Sequence, residues 1–321
     1  MLVAVAHAAD AAAREAYLGE LSTLADVRFL ADGSESERQG WLRQASVLAT
    51  FSPRHELTEP EMAALGELRF VQCLAAGRDR FPFEVFASCM VAFNQGAAAE
   101  PIAEHALALV LAAAKNLFAR HNDLAAGHFK QSSVNTRLAG GTAAVIGLGA
   151  IGSRVAYLLR AMGMKIRAIN SSGRTALPVE LCRTLDGLHE VLDGADIVIV
   201  AIELNRQTKD LIGAAQLRLL KPDAILVNVS RAAVVQPAAL YAHLTEQPGF
   251  RAGLDVWWNE PMHGGPFRLE HPFLDLPNVI GSPHNSPMVH GIFADLAAAA
   301  ACNVARFLNG RSPLHVATSR D

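Results

Sequence analysis

Cysteine is scarce in this chain of 321 residues, and its four copies show no C-x-x-C spacing. A disulfide framework and a cysteine-based zinc site are therefore excluded as organising features. We predict that the cysteines are small buried side chains in a protein of a reducing compartment, and we predict no metal site. The cysteines are Cys73, Cys89, Cys182 and Cys302.

The sequence also lacks an excess of charge and a long apolar run. Lys and Arg number 28 against 31 Asp and Glu, the net charge is −3, and no basic run stands out. We therefore expect no nucleic-acid partner. The sequence contains no stretch of about 18 predominantly apolar residues, so we predict no membrane span. The opening MLVAVAHAAD has no basic residue before its short apolar run, which favours a first β-strand over a signal peptide and predicts a cytoplasmic protein.

What the sequence does have is an alternation of short apolar runs with helical patterns. The first third offers LVAVA, SVLAT and RFVQCL as strands, with helical segments over 11–24 and 59–68. After one long apolar helix predicted over 101–124, the strands GTAAVIG, KIRAI, DIVIVAI, AILVNVS, FRAGLDV and NVIGS follow, and a helix over 288–308 ends the pattern. This alternation predicts α/β parallel sheets with helices on both faces, and six strands make a complete dinucleotide-binding sheet. The length suits about two domains, with a boundary near residue 98.

One glycine-rich turn follows an apolar strand and opens a helix. It has the form Gly147-x-Gly149-x-x-Gly152. The first glycine would make a tight turn, the second would let the backbone approach a pyrophosphate, and the third would let the helix pack on the strand. The helix N-terminus would direct its N–H groups and positive dipole end at the phosphates. We predict a dinucleotide site, and a tight turn without a ligand is the alternative.

The acid that usually follows the second strand of such a sheet is missing. The strand KIRAI ends instead in Asn170, Ser171, Ser172, Gly173 and Arg174. An acid here would bind the ribose hydroxyls of NAD but repel the 2′-phosphate of NADP, by about 1 kcal/mol in water and about 4 kcal/mol at an effective dielectric of 20. Neutral side chains and one guanidinium remove that repulsion and supply donors. NADP(H) is therefore favoured, and NAD(H), with Arg174 as a solvated loop residue, is the alternative.

Polar groups follow three of the later strands. AILVNVSRAAVV carries Arg231, GLDVWWNEP carries Asp255 and Glu260, and NVIGSPHNSP carries His284. Ligands of open parallel sheets bind outside the carboxyl ends of the strands. An arginine there would bind a substrate carboxylate, a histidine would protonate a forming alkoxide, and a carboxylate would orient the imidazole. Each residue alone is compatible with a structural role, but together they predict reduction of a 2-oxo acid.

Six stretches together resemble the D-isomer-specific 2-hydroxyacid dehydrogenase family over nearly the whole chain: GLGAIG, NVSRAAVV, GLDVWWNEP, SPHNSP, AEHALALVLAAAKN and AAGRD. The resemblance implies two doubly wound parallel-sheet domains. A Rossmann-type dinucleotide-binding domain would cover 98–282, and a discontinuous, flavodoxin-like substrate domain would cover 1–97 and 283–321. The active site would lie between the domains, and the long helix after Pro101 would help to build a homodimer.

The same resemblance gives roles to single residues. Arg231, Glu260 and His284 would be catalytic, and Asp255 would lie near the nicotinamide carboxamide. The loop AAGRDRFPF would bind the substrate carboxylate through backbone N–H groups, and its arginines Arg78 and Arg80 would either select a second negative group or be solvated. The predicted substrate contacts are Ala76, Gly77, Arg78, Arg231 and His284. The predicted coenzyme contacts are Gly147, Leu148, Gly149, Ala150, Ile151, Gly152, Asn170, Ser171, Ser172, Arg174, Thr208 and Asp255.

Two residues depart from the family pattern. Ala232 stands where glycine is usual, and it would be strained by roughly 1–2 kcal/mol if the position required a positive φ. Gln236 stands where an acid is usual, just before Pro237 as the predicted first residue of a helix. Glutamine there would be a weaker N-cap, by about 1 kcal/mol. Neither change alters the three side chains predicted to be catalytic.

The resemblance, together with the acid-free loop 170–174, thus predicts an NADPH-preferring reductase of small 2-oxo acids, such as glyoxylate or hydroxypyruvate, that gives D-2-hydroxy acids. A formate- or phosphite-type dehydrogenase on the same fold is one alternative. Relatives that oxidise formate are expected to carry an amide at position 260, so Glu260 argues against formate more than against phosphite. The other alternative is a nucleotide-sensing scaffold with little turnover, although such relatives tend to carry long disordered extensions, which this sequence does not show.

Overall fold

A computed structural model describes residues 1–261 and 265–317 of the protein. These residues form two compact units, the first made of 1–98 with 289–317 and the second made of the described residues of 99–288. The strands are β1 (Leu2–Val5), β2 (Asp26–Phe29), β3 (Ala45–Thr50), β4 (Phe70–Cys73), β5 (Met90–Phe93), β6 (Thr142–Ile146), β7 (Lys165–Ile169), β8 (Leu181–Arg183), β9 (Ile197–Val200), β10 (Ile225–Asn228), β11 (Arg251–Leu254), β12 (Val279–Gly281) and β13 (Val316–Ala317). The helices are α1 (Ala11–Leu21), α2 (Glu35–Gln44), α3 (Pro53–Glu56), α4 (Glu59–Ala63), α5 (Ala99–Ala114), α6 (Leu117–Ala125), α7 (Ala150–Ala161), α8 (Leu188–Leu192), α9 (Ala214–Leu217), α10 (Pro237–Glu246) and α11 (Ile292–Leu308).

The first unit is built on a sheet in the order β13-β5-β4-β3-β1-β2. Its strands are parallel, apart from the short β13, which pairs antiparallel with β5 at the edge. Every residue of β3 is buried, as expected for a parallel strand whose two faces are both covered. Apart from β13, this is the flavodoxin-like strand order, and the prediction of that fold class is confirmed.

The second unit is built on an all-parallel sheet in the order β12-β11-β10-β9-β6-β7-β8. The strand order reverses between β6 and β9, which makes the carboxyl ends of these two strands the expected ligand crevice of a Rossmann-type sheet. Two apolar clusters, one on each face of the sheet, form the core of this unit. The six strands predicted from the sequence are all present, and β8 is an additional edge strand.

The single long helix predicted over 101–124 is wrong. The structure has α5 and α6 instead, bent by 55° at the break between them. Asn116 lies in this break with φ 49°, a left-handed conformation that asparagine tolerates better than most residues and that ends a helix. Among the described residues, neither helix alone has the length and apolar character of a membrane span, and only the bent pair together meets that test by length and composition.

The four cysteines differ more in exposure than we predicted. All four are free thiols, but only Cys73 is fully buried, and Cys302 is exposed. Burial raises the pKa of the Cys73 thiol to about 12, so it stays protonated at neutral pH. The prediction of uniformly buried cysteines is therefore wrong, although none of the four forms a disulfide.

Candidate active site

The glycine turn lies between β6 and α7, at the reversal point of the second sheet. Gly147 has φ 98°, and a Cβ atom on it would lie 2.5 Å from the carbonyl oxygen of Ala201. A Cβ atom on Gly152 would lie only 1.8 Å from the carbonyl oxygen of Gly147. Both positions therefore require glycine for the packing of the protein itself, the first in the turn and the second where helix meets strand.

Gly149 has a different environment, because the protein gives no steric reason for a glycine there. Its φ is −80°, and a Cβ atom on it would meet no heavy atom within 4 Å. The open space lies at the N-terminus of α7, where the N–H groups of Ala150 and Ile151 lack acceptors within the helix. The N–H of Leu148, in contrast, is bonded to the carbonyl of Ile169 at 2.8 Å. A pyrophosphate fits this cradle, because it would fill the open space and accept bonds from the helix N-terminus.

The loop after β7 is organised by Asn170, which we had predicted to contact the coenzyme directly. Its Oδ1 accepts the N–H groups of Ser172 and Gly173 at 3.1 and 2.7 Å, and its Nδ2 donates to the carbonyl of Arg174 at 2.8 Å. The side chains of Ser171, Ser172 and Arg174 are exposed. Asn170 thus fixes a tight loop, in which the hydroxyl of Ser172 also bonds to the backbone of Arg174. The loop offers the hydroxyl of Ser171 and the guanidinium of Arg174 to a ligand.

Thr208 is placed differently from the exposed loop residues. It is 1% exposed, its hydroxyl donates to the carbonyl of Glu203 at 2.5 Å, and it accepts the N–H of Asn205 at 2.8 Å. These bonds close the turn after β9. A coenzyme contact by Thr208 stays a prediction, since its hydroxyl is already used inside this turn.

The structure brings Glu260 and His284 together. Oε1 of Glu260 lies 2.8 Å from Nδ1 of His284 and also accepts the backbone N–H of Trp257 at 3.1 Å. The glutamate side chain is 15% exposed and the histidine side chain is 36% exposed. The carboxylate therefore fixes one ring nitrogen of the histidine, and Nε2 is the nitrogen that can exchange a proton with a substrate.

Arg231 follows β10 on a loop that Asn228 holds. The side chain of Asn228 is buried, donates to the carbonyl of Arg231 at 3.0 Å and accepts the N–H of Ser230 at 3.0 Å. Nη1 of Arg231 donates to the carbonyl of Ser230 at 2.8 Å. Ala232 begins a short 3-10 helix, Ala232–Val234, and is not a residue of positive φ, so the strain considered for it does not arise.

The N-cap prediction for the next helix is confirmed. Pro237 is the first residue of α10, and Gln236 at the N-cap makes no capping bond with its side chain.

Asp255 is fully buried at the end of β11, and its carboxylate binds the segment that carries His284. Oδ1 accepts the hydroxyl of Ser282 at 2.6 Å and the N–H of Asn285 at 3.1 Å, and Oδ2 accepts the N–H of Ser286 at 3.2 Å. The contact with a nicotinamide carboxamide stays a prediction. Within residues 1–261 and 265–317, no group of three or more His, Cys, Asp or Glu side chains is arranged to hold a metal ion.

The predicted substrate loop lies in the first unit, directly after β4. Ala76 is exposed, while Gly77 and Arg78 are half-buried. The neighbouring carbonyl of Ala75 accepts the N–H of Asn94 at 3.2 Å, which ties the loop to the segment after β5. The role of this loop in substrate binding stays a prediction.

Four supporting residues were missed by the sequence analysis. Asn228 holds the arginine loop, Trp257 bonds to Glu260 through its backbone, and Ser282 and His105 lie beside Asp255. A buried amide at the end of an apolar strand was a usable signal for Asn228, since such a group needs partners close by. His105 gave no such signal, because its partner Ser282 is 177 residues away in sequence.

These features define a class of protein. A glycine-rich phosphate turn on a Rossmann-type sheet, with a carboxylate–histidine pair after two later strands, is the arrangement of a nicotinamide-dinucleotide-dependent oxidoreductase. The family model described as D-isomer specific 2-hydroxyacid dehydrogenase, NAD binding domain, matches residues 107–286, more than half of the chain. The chain therefore belongs to the D-isomer-specific 2-hydroxyacid dehydrogenase family, and it is an NAD(P)-dependent dehydrogenase or reductase.

Individual proteins agree with this assignment. The glyoxylate reductase of Aeropyrum pernix is 32% identical over 256 residues, which cover 77% of this chain and 75% of that protein. The glyoxylate reductase of Korarchaeum cryptofilum is 32% identical over 268 residues, which cover 80% of this chain and 79% of that protein. A solved structure of a proposed formate dehydrogenase from Pyrobaculum aerophilum has a TM-score of 0.81 and 27% identity, covering 99% of this chain and 98% of that one.

Proposed function

We propose that the protein is an NADPH-preferring reductase of small 2-oxo acids of the glyoxylate or hydroxypyruvate type, giving D-2-hydroxy acids. The observation that carries the proposal is the bond of 2.8 Å between His284 and Glu260 in the unit that holds the dinucleotide cradle. Relatives named as glyoxylate reductases support the same substrate class.

Each catalytic side chain has one task in this proposal. The nicotinamide ring, when bound, supplies the hydride. His284 gives the proton at Nε2 to the forming alkoxide, and Glu260 holds Nδ1 so that the ring keeps its orientation and its positive charge is stabilised before transfer. Arg231 binds the substrate carboxylate through its fork of donors and draws electron density from the adjacent carbonyl.

We further propose a division of labour between the two parts of the chain. Residues 98–282 would bind the dinucleotide, and residues 1–97 with 283–321 would contribute the substrate domain. The compact units divide after Met288, so His284 itself lies in the unit with the dinucleotide cradle. Support for the first part comes from the glycine cradle and from the match of the family model. In the second part, the backbone N–H groups of Ala76 and Gly77, with Arg78 beside them, would contact the substrate.

Steady-state kinetics on a panel of 2-oxo acids, with NADPH and NADH side by side, test this function. We expect turnover with glyoxylate and hydroxypyruvate and higher kcat/KM with NADPH. A chiral assay of any product with a stereocentre should give the D-isomer. Binding of NADPH without turnover of any member of the panel would contradict the proposal and favour a nucleotide-sensing role.

Phosphite oxidation is the second candidate function on the same fold. The observation that keeps it open is the Glu260–His284 pair itself, because a base held by a carboxylate could equally activate a nucleophile. Including phosphite and formate with both oxidised coenzymes in the same assay separates the candidates. Reduction of NADP⁺ by phosphite, without reduction of any 2-oxo acid, would replace our proposal.

The preference for NADPH rests on the loop 170–174. No carboxylate belongs to this loop, so the repulsion that an acid would exert on a 2′-phosphate is absent. The backbone of the loop is pre-formed by the three bonds of Asn170, so only the side chains of Ser171 and Arg174 need ordering when the phosphate binds.

Replacing Arg174 with alanine is expected to lower kcat/KM for NADPH by about tenfold or more, because a charge-assisted bond to phosphate contributes about 1.5–3 kcal/mol. The value for NADH should change by less than about twofold. Arg218→Ala removes an exposed arginine of the same unit and is the matched control. Equal losses with both coenzymes would mean that Arg174 does not contact the 2′-phosphate.

We also propose a homodimer, which α6 and the segment after it support. This helix has no buried residue, and it is followed by apolar side chains that are more exposed still. An apolar surface of this kind marks an interaction site, and a second copy of the chain is the occupant implied by the family resemblance. The exposed apolar side chains are Leu117 (53%), Phe118 (60%), Leu124 (57%), Phe129 (79%) and Val134 (88%).

Replacing Phe118 and Phe129 together with glutamate is expected to convert the dimer to a monomer, because four like charges would face one another in the two-fold interface. Light scattering coupled to size-exclusion chromatography measures the change. Leu18→Glu places the same charge on an apolar side chain of α1 that is 43% exposed, and it should leave the dimer intact. A wild-type monomer at micromolar concentration would contradict the proposal.

A further inference from the structure

His105 on α5 is linked to the segment of His284 through the half-buried Ser282 and the fully buried Asp255. Its Nε2 lies 2.8 Å from the hydroxyl of Ser282, and that hydroxyl lies 2.6 Å from Oδ1 of Asp255. Nε2 is also 3.6 Å from the same carboxylate oxygen. The three side chains belong to α5, the end of β12 and the end of β11, so they join elements that are distant in sequence.

The directions of these bonds follow from the number of protons. The Asp255 carboxylate already accepts the N–H groups of Asn285 and Ser286, so as an ionised group it can only accept. The hydroxyl of Ser282 has one proton, and the bond of 2.6 Å directs that proton to Asp255. The hydroxyl oxygen must therefore accept from His105, and the proton of the His105 ring lies on Nε2.

This chain of bonds ends on the backbone beside the proton donor. Asp255 holds the N–H groups of the two residues that follow His284, and His284 itself has φ 51°. A left-handed conformation costs a non-glycine residue roughly 1–2 kcal/mol, so surrounding bonds must maintain it. A second bond acts on the same segment, since Nε1 of Trp257 donates to the carbonyl of Ser282 at 2.8 Å.

We propose that His105 is a positioning residue for His284, acting through Ser282 and Asp255. By donating to Ser282, it fixes the hydroxyl rotor so that the serine proton stays on Asp255. The carboxylate is then held in the orientation that binds both backbone N–H groups, and the imidazole of His284 stays directed with Nδ1 at Glu260. The proposal rests on the proposed function insofar as it uses His284 as the proton donor.

Three variants test the positioning role in the full-length enzyme. His105→Leu removes the donor and puts an apolar side chain of similar size in its place. His105→Gln offers an amide N–H in place of Nε2–H. We expect kcat of His105→Leu to fall about tenfold, which corresponds to about 1.4 kcal/mol, and KM for the 2-oxo acid to change less than twofold. His105→Gln should recover most of kcat. His189→Leu, at an exposed histidine on α8, is the matched control and should retain wild-type kinetics.

The solvent isotope effect distinguishes positioning from a general loss of structure. If the His284 ring is less well directed, proton transfer becomes slower relative to the other steps. The solvent isotope effect on kcat should therefore rise in His105→Leu and fall back to the wild-type value in His105→Gln. Ser282→Ala should cause a similar loss, and the double variant should lose no more than either single one, because both break the same chain. Additive losses would overturn the proposal, as would equal activity of the leucine and glutamine variants.

A measurement without turnover separates this proposal from the proposed function. Histidine-selective ¹⁵N–¹H spectra report which ring nitrogen carries the proton, and we expect the His105 resonance to show Nε2–H. That resonance should shift in Ser282→Ala. A ring protonated only on Nδ1 would overturn the relay even in a fully active enzyme. Correct protonation in a protein that reduces no 2-oxo acid would instead overturn the function and leave the relay standing.

Discussion

Replacing His284 with asparagine is expected to lower kcat for 2-oxo acid reduction about a thousandfold, within the range that general acid catalysis supplies. Asparagine suits this test for two structural reasons. It tolerates the left-handed backbone at φ 51° better than alanine or leucine would, and its amide N–H can replace Nδ1–H in the bond of 2.8 Å to Glu260. The variant therefore removes Nε2 and little else.

The measurements that accompany this variant make the loss specific. The dissociation constant of NADPH, followed by fluorescence, should change less than about twofold, because the glycine cradle and the loop 170–174 are untouched. His189→Asn on α8 controls for the loss of a histidine elsewhere in the same unit. If His284→Asn retained more than a tenth of wild-type kcat, another group would have to be the proton donor, and the proposed role of Glu260 would lose its basis.

The sequence predicted best those features that depend on residues close together in the chain. Six of the seven strands of the second sheet are apolar runs bounded by turns, and each of these six was located. The tasks of Gly147 and Gly152 followed from the spacing alone, and the structure shows close backbone contacts at both. A carboxylate beside His284 was expected because the carboxyl ends of parallel strands meet at one edge of a sheet. The choice of Glu260 over Asp255 came from the family resemblance, and the structure pairs Glu260 with His284.

The sequence predicted the structure less well where it depends on the backbone conformation of one residue or on a partner distant in sequence. Apolar periodicity continues across Asn116, so no pattern indicated the bend between α5 and α6. The edge strands β2 and β8 contain charged residues and lack an apolar run, which is why they were not identified. The sequence did not indicate that the side chain of Asn170, a predicted coenzyme contact, would be used to build its own loop. The coenzyme contact of Asn170 stays a prediction.

The role of Asn170 in its own loop changes how its replacement should be interpreted. An aspartate at this position would still accept the N–H groups of Ser172 and Gly173, but it would place a carboxylate oxygen against the carbonyl of Arg174, where Nδ2 now donates. Asn170→Asp would thus introduce a charge that repels the 2′-phosphate and also disturb the loop. The preference for NADPH should fall for both reasons, so Arg174→Ala is the cleaner test.

Replacing Arg231 with alanine is expected to lower kcat/KM about a thousandfold or more, because two charge-assisted bonds to the substrate carboxylate, each worth about 1.5–3 kcal/mol, are lost together. The polarisation of the carbonyl is lost as well. The kcat/KM of Arg231→Lys should lie between those of the wild type and Arg231→Ala, since an ammonium keeps the charge but not the paired donors of the guanidinium. The backbone of this loop should persist in both variants, because Asn228 bonds to main-chain atoms of residues 230 and 231.

Adding guanidinium ions to Arg231→Ala gives the sharpest form of this test. The side chain of Arg231 is half-buried, so its removal leaves a space in which a small cation of the same shape can bind and restore the missing donors. We expect saturable recovery of turnover with guanidinium and none with sodium at equal ionic strength. Arg218→Ala should show neither the loss nor the recovery. Nearly unchanged activity in Arg231→Ala would mean that the arginine takes no part in the reaction. The Glu260–His284 pair alone would then have to polarise the substrate carbonyl. In that case a neutral 2-oxo ester, which lacks the carboxylate, should react as fast as the 2-oxo acid.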